Sequence, residues 1–251
     1  AFEEVRTSAL VAEFIEGLGM DVHRGLGKTG VVGTLRGARP GQRTITLRAD
    51  MDALHISEDT GLSYSSTVPG KMHACGHDGH TTMLLGAAEK LSRSPDFAGT
   101  VHFLFQPAEE GGGGANEMIK DGVFELFPTD AIYGVHNGPM EPLGRLMTRT
   151  GPFTSASDDW EVVFEGTGGH GASPEKAIDP TVAAGQFMAS LGNVVSRKVA
   201  LTDWAVVSVG HVSGGDRGSV NIIPAQVMVA GTARSYRPEV RETLEREITR
   251  L

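Results

Sequence analysis

Residues 73–80 constrain this chain more than any other stretch, because they bring three imidazoles, one thiol and one carboxylate into eight positions. Cys75 is the only cysteine in the sequence, which excludes a disulfide within the chain and a zinc site built from four cysteines. A thiolate beside imidazoles is a typical ligand set for a metal ion. The segment therefore predicts a metal site. The alternative is a surface loop that carries histidines without a function.

Further candidate ligands lie where predicted strands end. The predicted strands cover residues 43–47, 100–106 and 130–135, and the polar residues that follow them are Asp50, Asp52, Glu109, Glu110 and His136. A turn cap for the two aspartates and a structural role for the histidine are the alternatives. Because open α/β sheets bind ligands at the carboxyl ends of their strands, we expect these groups to converge. A helix predicted at residues 81–91 places His77 and His80 near its N-terminal end.

The chain divides into two predicted domains. Residues 1–152 predict an α/β catalytic domain, with a mixed, largely parallel sheet and flanking helices. Residues 153–251 follow a small-residue stretch and show the order β-α-β-β-α, which predicts a smaller ferredoxin-like α+β domain that lacks one strand. Helical patterns already run at residue 1 and still run at residue 251 without caps, so we expect both natural ends to be missing. A signal peptide cannot be judged for this reason.

Charge and hydropathy narrow the class of partner. The formal net charge is -9, and no run of lysine or arginine is present, which argues against a nucleic-acid or an anionic-membrane surface. No apolar run approaches the roughly 18 residues of a membrane span. One cysteine fits a reducing compartment. We therefore expect a cytoplasmic protein whose partner is a small molecule.

The candidate ligands also indicate a type of ion and a reaction. Cysteine, histidine and glutamate together favour zinc, manganese, cobalt or nickel over calcium or magnesium. Two neighbouring divalent ions would activate a water and polarise a carbonyl. The adjacent Glu109 and Glu110 then divide into one ligand and one general base, although which does which stays open. A phosphate-binding loop at residues 109–114 is the rival interpretation, but no Gly-Lys-Ser/Thr follows and two acids repel phosphate.

Six motifs together resemble one known family. They lie at residues 50–54, 73–80, 105–115, 134–137, 168–172 and 221–224. They are similar to motifs of the aminoacylase/carboxypeptidase family of di-metal hydrolases, in the branch of hippurate hydrolase and the indole-acetyl-amino-acid amidohydrolases. The likeness extends over essentially the whole chain. It implies a metal-dependent amidohydrolase that cleaves N-acyl amino acids with a metal-activated water and two divalent ions.

The resemblance also implies a role for individual residues. The implied metal ligands are Cys75, His77, Glu110 and His136. It implies Glu109 as general acid and base and Asp52 as the acid that orients a ligand. It further implies that the smaller domain is a lid that forms a homodimer, with His170 near the scissile carbonyl. Asn221 and Arg234 would bind the substrate carboxylate. The alternatives are a turn residue for His170 and local hydrogen bonding for the other two.

Three departures from the family pattern stand out. Position 55 is histidine where relatives usually have proline, and residues 172–175 lack a second histidine that is common after the proline. These departures bear on substrate preference. The family also supplies one more metal-binding histidine after the lid, and this sequence stops before it. We therefore expect a polypeptide that ends at Leu251 to be poorly soluble, or to hold at most one weakly bound ion, and to be inactive on N-acyl amino acids.

Two other hypotheses remain besides the amidohydrolase. One is a hydrolase that uses Cys75 as its nucleophile with a histidine as base. The other is a non-catalytic relative that binds amino acids or dimerises through its lid. Excess chelator separates the first alternative from a metal enzyme, because a thiol enzyme would keep its activity.

Overall fold

A computed structural model describes residues 1–251, and they divide into two units, Ala1–Leu143 and Gly144–Leu251. The sequence patterns place the functional division between residues 152 and 153, and that division stays a prediction. No helix of the structure combines the length and the apolar character that crossing a membrane requires.

Unit 1 contains a five-stranded sheet in the order β1-β2-β4-β3-β5. Its strands are β1 (Asp21–Leu26), β2 (Gly30–Arg36), β3 (Arg39–Asp50), β4 (Ala98–Gln106) and β5 (Ala131–Gly134), and its helices are α1 (Val5–Gly17), α2 (His77–Arg93), α3 (Gly114–Lys120) and α4 (Val123–Leu126). β3 is parallel to β4 and β5, whereas β2 is antiparallel to β1 and β4. The mixed sheet is confirmed, but its parallel share is smaller than predicted because the sequence patterns missed β1, a largely exposed and polar strand.

The sheet of unit 1 is covered on both faces. Phe103 and Phe105 of β4 are completely buried and pack with apolar residues of α1 and α2. Leu104, which points to the opposite face, packs with Met118 of α3 and Val123 of α4. A strand that is buried on both faces reads as a continuous apolar run, which is why β4 was predictable.

Strand β5 is more exposed to solvent than its sequence pattern predicts. Its pattern predicts a buried strand, but Ile132 is 48% and Tyr133 is 54% exposed. β5 pairs with β3 alone and forms an edge of the sheet. A short apolar run favours a strand without telling whether that strand lies inside the sheet or at its edge, because both positions use the same residue types.

Unit 2 contains a three-stranded antiparallel sheet in the order β6-β10-β8. Its strands are β6 (Ala156–Glu165), β7 (Gly169–His170), β8 (Ala205–Gly214), β9 (Ile222–Ile223) and β10 (Gln226–Ser235), and its α-helices are α5 (Pro180–Lys198) and α6 (Pro238–Arg250). β7 and β9 form a separate two-stranded sheet. Both helices pack on one face of β10. The main elements follow the predicted order β-α-β-β-α, while the role of this unit as a lid stays a prediction.

Candidate metal centre

Sheet topology brings the candidate ligands of unit 1 to one edge. β4, β3 and β5 are parallel neighbours, and Asp50 at the end of β3 pairs with Gln106 at the end of β4. The segments that follow these strands therefore leave the sheet on the same side, as ligand-binding segments do in open α/β sheets. The predicted convergence of Asp52, Glu109, Glu110 and His136 has this topological cause.

His77 is the first residue of α2 and lies almost fully buried. Its Nδ1 lies 3.2 Å from Asp52 Oδ1, so Nδ1 carries the proton and donates to the carboxylate. Its Nε2 is buried without any hydrogen-bond partner. This nitrogen lies 3.7 Å from Glu110 Oε1 and 4.0 Å from Glu109 Oε2. A buried lone pair that faces carboxylates at these distances is the geometry expected of a metal ligand.

Cys75 and His136 form the second part of the cluster. Cys75 Sγ lies 3.4 Å from His136 Nε2. His136 Nδ1 lies 2.8 Å from the carbonyl oxygen of Asn137, which can only accept, so Nδ1 carries the proton and Nε2 has the free lone pair. Cys75, His77 and His136 each offer a ligand atom, and these atoms lie within 4.8 Å of one another. The structure thus brings three of the four predicted ligands together.

The carboxylates of Glu109 and Glu110 complete the site from the end of β4. Ala108, buried just before them, has φ 49°, in the left-handed region that non-glycine residues seldom occupy. The N–H of Glu110 donates to Asp52 Oδ2 at 3.0 Å. Glu109 and Glu110 each offer a carboxylate oxygen beside His77. The Glu110 side chain is 24% exposed and that of Glu109 is 42% exposed, so Glu110 is the more enclosed of the pair.

The electrostatics of the cluster favour a cation. Burial would raise the pKa of Asp52, but hydrogen bonds from His77 and from the backbone lower it to about 2. Burial and then Glu110 raise the pKa of the Cys75 thiol to about 11. Burial would lower the pKa of His77, but its bond to Asp52 and the nearby carboxylates raise it. Carboxylates that raise the pKa of a neighbouring thiol mark an excess of negative charge, which a divalent cation would balance.

A second group of possible ligands has a different character. Asp50, His77 and His80 also offer atoms within 4.8 Å of one another. However, His80 Nδ1 lies 2.7 Å from Asp50 Oδ1, which is a hydrogen-bond distance. His80 Nε2 accepts from the backbone N–H of Asn137 at 2.9 Å. Neither ring nitrogen of His80 is free to hold an ion. The sequence pattern placed His80 near the start of a helix but assigned it no role. Its contact with Asn137 is visible only in the structure.

The predicted site residues of unit 2 lie in two different sheets. His170 belongs to β7 and pairs with Ile222 of β9, directly after Asn221, and both predicted residues are exposed. The N–H of Gly171 donates to the carbonyl of Asn221 at 2.7 Å, which holds these two segments together. Arg234 lies on β10, half-buried, where its guanidinium contacts Thr232 Oγ1. The structure therefore brings His170 and Asn221 together and places Arg234 in the larger sheet of this unit.

Several known proteins are similar in sequence to this chain over its whole length. The profile of Peptidase family M20/M25/M40 matches residues 46–245. Hippurate hydrolase from Campylobacter jejuni is 43% identical over 100% of this chain and 64% of its own length. IAA-amino acid hydrolase ILR1-like 4 from Arabidopsis thaliana is 42% identical over 99% of this chain and 56% of its own length. This chain thus spans about 60% of the curated relatives that it matches.

Solved structures agree with the sequence comparisons. A protein from methicillin-resistant Staphylococcus aureus is 37% identical, with a TM-score of 0.87 over 100% of this chain and 66% of that chain. A dinuclear metal-binding peptidase of the M20 family from Bacillus subtilis is 36% identical, with a TM-score of 0.77 over 100% of this chain and 64% of that chain. The family that the motifs resemble is confirmed: this chain belongs to the peptidase family M20/M25/M40.

Proposed function

We propose that this protein is a metal-dependent amidohydrolase that cleaves the amide bond of N-acyl amino acids. The observation that carries the proposal is the buried, unpartnered Nε2 of His77, which faces the carboxylates of Glu109 and Glu110. Family membership and the names of the relatives, hippurate hydrolase and N-acetylcysteine deacetylase among them, support amide hydrolysis as the reaction class.

We assign the metal ligands to Cys75, His77, Glu110 and His136, and we expect two divalent transition ions among manganese, zinc, cobalt and nickel. The Bacillus subtilis relative, named as a dinuclear metal-binding peptidase, supports the number of ions. When bound, the ions supply a Lewis acid for the scissile carbonyl and lower the pKa of the attacking water. Asp52 accepts the Nδ1 proton of His77 and so places the lone pair of the neutral ring on Nε2, where an ion would bind.

Glu109 is the proposed general acid and base. Its side chain is more open than that of Glu110 and its carboxylate lies at the outer side of the cluster, 4.0 Å from His77 Nε2. In the reaction it takes a proton from the attacking water and then passes a proton to the amide nitrogen as the C–N bond breaks. The products are a carboxylic acid and a free amino acid, which together contain all the atoms of the substrate and of the attacking water.

Unit 2 supplies the proposed contacts to the substrate. We assign His170 to the scissile carbonyl, and Asn221 and Arg234 to the substrate carboxylate. The hydrogen bond between Gly171 and Asn221 supports a joint role for the first two residues, because it fixes their segments to each other. A homodimer formed through this unit and a cytoplasmic location stay predictions.

The cysteine hydrolase is the main rival hypothesis. A distance of 3.4 Å between Cys75 Sγ and His136 Nε2 is one that a thiol and its base could also adopt. The thiolate is the nucleophile in such enzymes, and their cysteines have a lowered pKa. Burial and nearby carboxylates instead raise the pKa of Cys75 to about 11. The electrostatics therefore favour a metal ligand over a nucleophile.

Chelation tests the proposal directly. The protein, as it is naturally produced, is dialysed against excess chelator, and its metal content and its rate of hippurate hydrolysis are measured together. We expect both to fall in parallel and both to return when manganese or zinc is added back. The variant His102→Gln, whose buried histidine bonds to Thr34 and takes no part in the site, serves as control and should behave as wild type. Full activity in metal-free protein would contradict the proposal and favour the thiol mechanism.

A further inference from the structure

His80 is a buried histidine that has no role in the proposed reaction. It nevertheless contacts Asn137, the residue next to the proposed metal ligand His136. It is 2% exposed and lies in the first turn of α2. The backbone N–H of Asn137 can only donate, so His80 Nε2, at 2.9 Å, must accept. The proton of the neutral ring is therefore on Nδ1, which donates to Asp50 Oδ1 at 2.7 Å. The two partners together fix both the tautomer and the orientation of the ring.

The Asp50 end of this chain of hydrogen bonds is rigid. Asp50 is 1% exposed and accepts from Arg48 Nη1 at 2.8 Å. The hydroxyl of Thr81 donates to the Asp50 carbonyl at 2.9 Å. Arg48 Nε in turn donates to Gln106 Oε1 at 2.9 Å. His80 is thus anchored, through Asp50 and Arg48, to the paired ends of β3 and β4.

The other end of this series of hydrogen bonds orients the ring of His136. The carbonyl of Asn137 accepts the Nδ1 proton of His136 at 2.8 Å, while the N–H of the same residue donates to His80. His136 is exposed and lies beyond the end of β5, so no strand pairing holds it. Gly76 provides a second contact, since a Cβ at this residue would lie 1.9 Å from Asn137 Nδ2. Asn137 is therefore held by the N-terminal end of α2, and His136 is oriented through Asn137.

We propose that His80 is a positioning residue for the metal centre. Through the N–H of Asn137 it fixes the His136 ring so that Nε2 faces Cys75, and it does so without binding an ion itself. The group formed by Asp50, His77 and His80 is accordingly a support for the centre and not a further ion site. This inference rests on the proposed function in one respect, that His136 is a metal ligand.

Two substitutions at position 80 separate this role from a purely structural one. Asparagine places its amide near the position of Nδ1, so His80→Asn can keep a donor to Asp50 but loses the acceptor for the Asn137 N–H. Glutamine reaches the position of Nε2, so His80→Gln can restore that acceptor and gives up the donor to Asp50. If His80 merely satisfied the buried Asp50, the asparagine variant would be the better replacement. If it positions His136, the glutamine variant is the better one.

The measurements are the Kd for Zn²⁺, obtained by competition with a chromophoric chelator, and the hydrogen exchange of the Asn137 amide in metal-free protein. We expect His80→Asn to weaken Zn²⁺ binding about 10- to 100-fold, the usual effect of losing a group that orients a ligand. The Asn137 amide of that variant should exchange faster than in wild type. His80→Gln should stay within about threefold of wild type in Kd, with its Asn137 amide protected.

The control is again His102→Gln, which removes a buried histidine of unit 1 away from the centre and should leave the Kd for Zn²⁺ unchanged. Equal Kd values for the two position-80 variants, weaker binding by His80→Gln than by His80→Asn, or an unchanged Asn137 exchange rate in His80→Asn would overturn the inference. A wild-type protein that binds no Zn²⁺ at all would instead contradict the proposed function.

Discussion

The predicted site residues of the two units are held in different ways. In unit 1, hydrogen bonds between side chains fix the site: His77 bonds to Asp52 and His80 bonds to Asp50, and all four residues are buried. In unit 2, His170 and Asn221 are exposed and are held through backbone groups, such as the bond from Gly171 to the carbonyl of Asn221.

This difference predicts different responses to substitution. Removing one member of a buried hydrogen-bonded pair leaves its partner unsatisfied in a low-dielectric environment, which costs far more than losing an exposed contact. In unit 1, a substitution that leaves a buried partner without any hydrogen bond should therefore disturb more than the contact that it removes. The predicted residues of unit 2 should respond independently of one another, so that each substitution affects only the contact that it removes.

The largest expected effect separates the two adjacent glutamates. Glu109→Gln should keep its metal content and lower kcat by about 10² to 10⁴, which is the usual contribution of a general base. Glu110→Gln should lose metal, because a neutral amide replaces a carboxylate ligand. Metal content and kcat for hippurate are measured on both variants of the protein as it is naturally produced, with Glu117→Gln as control because it removes an exposed acid of α3. If Glu109→Gln loses metal and Glu110→Gln retains it, the two roles must be exchanged.

A smaller effect is expected from Arg234 in unit 2. Lysine keeps the charge of arginine but not its fork of donors, so Arg234→Lys should lower kcat/KM for an N-acyl amino acid about 10- to 100-fold. The same substitution should change turnover of the corresponding amide far less, because that substrate has no carboxylate to bind. The measurement is kcat/KM for two substrates on two proteins. Equal losses on both substrates would remove Arg234 from carboxylate recognition.

The smallest effect concerns the exposed ion pair of Asp158 and Arg241 in unit 2. The hydrogen bond from Arg241 holds the pKa of Asp158 below its usual range. A carboxylate with a lowered pKa stabilises the fold above its unfolded-state pKa, and this contribution is lost as the pH falls through the folded-state value.

Thermal unfolding of Asp158→Asn and of wild type tests this pH dependence. The Tm of Asp158→Asn should lie at most about 4 °C below that of wild type at pH 7, since exposed pairs contribute little. The difference should disappear as the pH falls below about 4. A difference that persists or grows at lower pH would show that the ion pair is not its source.

The sequence predicted a strand best where burial on both faces left a clear apolar run in the pattern. β4 is buried on both faces and largely apolar between Val101 and Phe105, and its pattern predicted residues 100–106 of the observed strand Ala98–Gln106. β1 was missed because its residues are polar and mostly exposed, so they carry no periodic signal. The exposure of β5 was predicted wrongly, because the identity of a strand's neighbours is not encoded in its own residues.

The sequence by itself determined the family of this protein and the residue types of its candidate metal site: segment 73–80, the paired glutamates and His136. Only the tertiary structure decided which ring nitrogens of the histidines are already hydrogen-bonded and which are free to bind an ion. That choice depends on partners far away in the sequence, such as Asp52 for His77 and Asn137 for His80. An imidazole is the same group in every histidine, and the hydrogen bond at one of its nitrogens decides what the other can do.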